Sequence, residues 1–293
     1  MIKILIFTFT ILLIILFIQK YLKKKEPMYN TNDYDEYKKN LNRINVKVRK
    51  NNFNIFPVDD KIANWGIQCI KEKISNKNVI IKDKIYYSQY GVEFNYPHTI
   101  NDKIVLSNDK YKELVKYFKR NNKKALINNL SSLIIHESVH IEQRYNYKFF
   151  IDLYKKWGFI HVKNIKNINK LLEIKRTNPD AMIDYNLLWK NNNKYYFINC
   201  FFDKDYVKAN YVFRYAFPIK KINNAYVYEG NTKDYIRLEN FDSYNNYFGD
   251  ISNNYTANEI CAEYYEMLYQ EGSMGNTFEA PAYTIFKKYL SSV

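Results

Sequence analysis

The chain has 293 residues, of which 47% are hydrophobic, including 30 Tyr and 19 Phe; that supports a substantial core and excludes a disordered polymer. Its 45 basic and 30 acidic residues give a net charge of +15, but the lysines are spread out and accompany no compact nucleic-acid motif. Cys69, Cys200 and Cys261 are odd in number and far apart, which excludes a disulfide framework and a CxxC metal site and fits a reducing compartment.

The first element in chain order is apolar. Residues 4–18 carry no charge, and extending the run to residues 2–22 brings it near the ~20 residues a bilayer requires. No small-residue cleavage site follows it, so an uncleaved transmembrane signal-anchor is expected over residues 1–22. Lys20, Lys23, Lys24 and Lys25 outweigh Lys3 and the amino terminus, which places the large C-terminal part in the cytosol. The sequons at Asn129 and Asn254 are then coincidental. Residues 20–50 hold ten basic and four acidic side chains, and residues 23–52 read as a polar tether beside the membrane. The positive charge is thus assigned to a solvated surface and this basic segment rather than to nucleic-acid binding.

The globular part is expected over residues 53–293. Val58-Asp59-Asp60 looks like a helix start, with Ile62, Trp65, Ile70 and Ile74 along one side. Residues 79–87 and 103–107 are rich in Ile, Val and Tyr and read as strands, and a helix follows over 110–120. Residues 124–143 contain no Pro or Gly, and Leu126, Leu130, Leu133, Ile134 and Ile141 recur at helical spacing.

That helix carries the chemistry. His136-Glu137-Ser138-Val139-His140 reads H-E-x-x-H and uses two of the four histidines. Residues four apart on a helix are separated by about 40° around its axis, so both imidazoles project from one face about 6 Å apart. Such spacing suits two corners of a zinc tetrahedron, and Glu137 lies to the side as a general base for water. Chance supplies about 0.003 such matches in a chain of this composition. The bland alternative is a pair of core histidines satisfied by hydrogen bonds.

Further along, residues 149–157 read as a helix, Asn178-Pro179-Asp180 as a turn or helix entry, and 195–202 and 225–229 as strands. Helices over 258–270 and 283–291 close the chain. A catalytic zinc needs a third protein ligand and an open position. The candidates are His98, His161, Asp180 and the glutamates near residue 260. His161 lies in an apolar run that suggests a buried structural role, and His98 follows Pro97 in an expected loop, with a cleft-lining role open. Arg176 is a further cationic candidate without a specific signal.

Strands leading into an H-E-x-x-H helix resemble the zincin metallopeptidases. The metzincin continuation fails, because Gln143 and Asn146 occupy its Gly and His places. Asn258-Glu259-Ile260-Cys261-Ala262-Glu263 is similar to the second motif of gluzincins. That resemblance implies Glu259 as third zinc ligand and Glu263 as the carboxylate that orients a ligating imidazole. Thr256-Ala257-Asn258-Glu259 is also a capping box, in which Glu259 merely reaches back to an N-terminal amide. The resemblance further implies an α+β, zincin-like catalytic domain with a mixed sheet, in which residues 103–107 form the wall strand that pairs with an extended peptide. The expected protein is a membrane-anchored zinc metallopeptidase acting on a protein or peptide substrate. The alternative is a non-enzymatic, membrane-anchored interaction protein on the same scaffold.

Overall fold

The computed structural model describes residues 55–73, 81–88, 97–176, 187–202, 212–274 and 278–292. The expected anchor, the tether and Asp180 lie outside them. Among the described residues no helix is long and apolar enough to cross a membrane. The architecture is α+β, as the sequence suggested, with eight helices and two sheets among these residues.

A small mixed sheet comes first. It contains β1 (Ile55–Pro57), β2 (Ile85–Ser88), β3 (His98–Ile100) and β4 (Lys103–Ser107) in the order β1-β2-β4-β3. Strands β2 and β4 run parallel, and both outer pairings are antiparallel. The strand at 103–107 falls where expected, but β2 and β3 occupy its two sides, so it cannot pair with a peptide.

Of the helices α1 (Asp60–Lys73), α2 (Asn108–Lys119) and α3 (Lys123–Tyr145), α2 and α3 pack against this sheet, and α1 packs on α3. Ser107 caps α2 by accepting the Lys110 amide, and Asn122 caps α3 by accepting the Ala125 amide. The sequence predicts an apolar stripe on α3, and Leu126, Leu130, Ile134 and Ile141 are fully buried in the main core. Beyond that, every residue from Glu137 to Arg144 is buried, so the second half of the helix is enclosed on all sides.

Such a helix must find partners for its polar side chains. Ser138 Oγ accepts the Lys82 amide at 3.1 Å, and Lys82 Nζ pairs with Glu142 at 2.6 Å. Arg144 donates to Thr99 Oγ1 and to the Asn101 carbonyl, which ties the β3–β4 hairpin to the helix.

After α4 (Tyr147–Lys156) the chain builds a second, seven-stranded sheet. Its strands are β5 (Phe159–His161), β6 (Ile165–Lys166), β7 (Leu187–Asn191), β8 (Lys194–Phe202), β9 (Val212–Ile222), β10 (Ala225–Val227) and β11 (Ile236–Arg237). They run β5-β7-β8-β9-β10-β6, with β11 also on β9. Alternation assigns the two faces. Trp189, Tyr196, Ile198, Cys200 and Ala216 join the main core. Leu188, Phe197, Phe201, Tyr215 and Phe217 face a second core, covered by Val162, Ile165, Ile168, Leu171 and Ile174 around the short α5 (Asn169–Leu172).

Pro218 sits inside the long β9, where a missing N–H should break a ladder. It lies between the stretch covered by β11, which ends at Ala216, and the stretch covered by β10, which begins at Lys220. The β9–β10 turn is made by Asn223 and Asn224, both at positive φ, as a type I′ turn requires. The chain then adds α6 (Asp242–Phe248), α7 (Ala257–Met274) and α8 (Pro281–Leu290). Helix α7 packs along α3, and Trp157 after α4 donates to the Ala282 carbonyl of α8 at 2.9 Å.

Candidate metal centre

Helix α7 begins at a side-chain cap: Thr256 Oγ1 accepts the Glu259 amide at 3.2 Å. The cap uses the backbone nitrogen of Glu259 and leaves its carboxylate for other partners. That carboxylate lies between the two histidines of α3. Oε2 is 3.3 Å from His136 Nε2, and Oε1 is 3.6 Å from His140 Nε2. His136, His140 and Glu259 therefore form a cluster whose ligand atoms all lie within 4.8 Å of one another. It is the group of three or more such side chains found close enough to hold a metal ion among the described residues. Tetrahedral zinc with bonds of about 2.05 Å separates its ligand atoms by about 3.3 Å, so the donor set and its spacing fit that ion.

Each imidazole is held from its other nitrogen. His136 Nδ1 lies 2.6 Å from Glu266 Oε1, and the second oxygen of Glu266 accepts from Ser132 Oγ at 2.5 Å. A carboxylate only accepts, so the proton is on Nδ1 and Nε2 faces Glu259. His140 Nδ1 lies 2.9 Å from Gln143 Oε1. Ser132 and His136 are four apart on α3, so one carboxylate from α7 spans a full turn of the facing helix.

Glu263 does not play the part expected of it. Its oxygens accept the backbone amides of Ser252 and Asn253, at 3.2 and 2.9 Å, and so fasten the loop that leads into α7. Glu266, three residues further on, is the carboxylate on the imidazole. Nothing in the sequence singles out Glu266 for this role.

The cluster is nearly closed. His140 is 1% exposed, Glu259 2% and Glu137 5%, and the more open side belongs to His136 and Glu266, whose side chains are 14% and 23% exposed. The imidazoles and carboxylates of the cluster shift one another's protonation. Burial would raise Glu259, but the His140 and His136 imidazoles overcome it and hold the carboxyl well below the usual range. Burial would lower His136, but its hydrogen bonds to Glu259 and Glu266 raise it well above its ordinary value. Burial and the charge of Glu266 push Glu263 upward.

The other candidates stand apart from the cluster. His98 is in strand β3 rather than a loop. Its neighbour Thr99 faces Arg144 of α3, so His98 points to the opposite face of the sheet and does not line the metal cluster. His161 is exposed at the end of β5, edge-on to the Tyr147 ring, and not buried as its apolar run suggested. The Arg176 amide donates to the Cys200 carbonyl on β8. Both sequons are engaged: Asn129 Nδ2 donates to the Ala125 carbonyl, and Asn254 is buried between Arg214 and Asn245.

Compared with known proteins, the chain matches no family model, no curated protein and no solved structure.

Proposed function

We propose that the protein is a zinc-dependent metallopeptidase of gluzincin-like type, tethered to a membrane through residues 2–22 with its catalytic domain in the cytosol. The observation that carries this reading is the convergence of His136 Nε2, His140 Nε2 and the Glu259 carboxylate from two separate helices. Two imidazole nitrogens and one carboxylate are the ligand set of a hydrolytic zinc site with a fourth position left for water. Zinc in that position would make water a nucleophile at neutral pH and polarise a scissile carbonyl.

The chain's own residues supply the rest. His136, His140 and Glu259 would bind the ion, while Glu266 and Gln143 keep the two imidazoles turned toward it. Glu137 follows His136 on the same helix and is nearly buried, where a carboxylate is an effective base. It would take the proton from the attacking water and return it to the leaving amine. The α+β architecture, with the H-E-x-x-H helix beside a mixed sheet and a second helix bringing the third ligand, supports a zincin-like fold.

Metal analysis of the purified protein together with a mixed-peptide hydrolysis assay tests the reading. Stoichiometric zinc and hydrolysis should both disappear in His136→Ala. A protein that binds zinc but cleaves nothing would favour a non-enzymatic role, and one that binds no zinc would overturn the reading.

A further inference from the structure

Gln143 lies outside the H-E-x-x-H pentad, yet its amide contacts both ligand-bearing helices. Its Oε1 is 2.9 Å from His140 Nδ1. Its Nε2 donates to the backbone carbonyl of Asn258 at 2.9 Å and to Tyr154 Oη at 3.0 Å. Tyr154 Oη in turn donates to Asn258 Oδ1 at 3.0 Å. Gln143, Tyr154 and Asn258 have no measurable exposure, and His140 has 1%.

The orientation of this amide follows from chemistry. A backbone carbonyl can only accept, so the atom facing Asn258 O must be the NH2 group of Gln143. Its carbonyl oxygen then faces His140, and His140 must carry its proton on Nδ1. The lone pair of His140 is thereby left on Nε2, the nitrogen facing Glu259. Asn258 immediately precedes Glu259, so the same amide also fixes the backbone from which the third ligand projects.

We propose that Gln143 is a positioning residue for the metal centre: it sets the tautomer of His140 and locks that imidazole to the start of α7, where Glu259 stands. This role rests on the zinc reading of the cluster. It is distinct from the support of His136, where a partly exposed carboxylate, Glu266, performs the equivalent task. One imidazole is held by a fully enclosed amide and the other by a carboxylate near the open side.

The test is zinc affinity, measured by chelator competition on the full chain, together with the visible absorption of the cobalt-loaded protein as a report of ligand geometry. Gln143→Met keeps the volume and removes all three hydrogen bonds of the amide; zinc affinity should fall about 10- to 100-fold and the cobalt spectrum should change. Gln143→Glu keeps an oxygen on His140 Nδ1 but loses the donor to the Asn258 carbonyl, so its loss of affinity should be smaller than that of Gln143→Met. Tyr154→Phe leaves the ring in place and removes one anchor of the amide, so it should show a smaller loss, and it carries the test if Gln143→Met does not fold. The proposal is overturned if Gln143→Met, or Tyr154→Phe in its place, binds zinc as the wild type does with an unchanged spectrum. It is also overturned if Gln143→Glu is as impaired as Gln143→Met. Wild-type protein that takes up no zinc overturns the metal reading itself, and the role of Gln143 with it.

Discussion

Glu266 on α7 lies 2.6 Å from Nδ1 of His136 on α3, across the seam between the two helices that bear the proposed ligands. Glu263 sits one turn earlier on the same helix, and its carboxylate is spent on the amides of Ser252 and Asn253. The two residues should therefore respond differently to removal. Glu266→Ala is expected to weaken zinc binding about 10- to 100-fold. Glu263→Ala is expected to cost about 1–3 kcal/mol of folding stability, with a smaller change in zinc affinity. Chelator competition and denaturant unfolding on both variants check this, and the reverse pattern would restore the imidazole to Glu263.

Glu137 separates binding from chemistry. Glu137→Gln preserves size and removes the base, so peptide hydrolysis should drop about 10²- to 10⁴-fold while zinc stays bound at one per chain. Hydrolysis surviving that change would show that another group accepts the proton.

Metal removal should be visible as lost stability. With free zinc at about 1,000 times its dissociation constant, binding contributes about 4 kcal/mol, and His136→Ala or Glu259→Ala should abolish the difference between loaded and stripped protein.

That difference should also depend on pH. In the stripped protein burial disfavours a charged His136, yet its hydrogen bonds to Glu259 and Glu266 raise its pKa well above the ordinary 6.5. A raised pKa in the folded state means that the proton stabilises the metal-free fold fully below about pH 6.5, and this contribution fades as pH climbs through the folded value. Zinc requires the unprotonated nitrogen, so its affinity grows over the same interval. The gap in unfolding temperature between loaded and stripped protein should widen as pH rises from about 6.5 through the raised folded value of His136. Calorimetric scans that show a flat or narrowing gap would contradict the assignment of His136.

Cys261 and Cys200 offer an independent check on the core. Both are buried, and burial pushes the Cys261 thiol far above its ordinary pKa. Neither should react with an alkylating reagent at neutral pH until the protein unfolds. Mass spectrometry after pulse labelling would reveal rapid modification of native protein if α7 packed differently.

Much of this arrangement is legible in the sequence because helical periodicity and a rare motif coincide. The pentad, the apolar run of α3, strand β4 and the Asn258–Glu263 segment all stand where their patterns placed them. The support of the ligands was less legible. Glu263 and Glu266 both lie near the stripe of Glu259, four and seven residues on, and their choice of partner depends on a loop whose amides claim Glu263. Gln143 was noticed only as a departure from another family's pattern, since its partners Tyr154 and Asn258 are distant in the chain. Strand β9 was missed because Pro218 argues against a central strand unless the gap between its two flanking strands is known.

The seven-stranded sheet lies within the chain between His140 and Glu259, and this fixes an order of events in synthesis. A nascent chain that has emerged as far as residue 250 already holds both histidines but lacks the carboxylate that joins them. Bringing the trio together closes a long loop that contains the whole sheet, an entropically costly step. Zinc captured at that moment would staple the two ends of that loop together, so the ion would act as a late latch on folding.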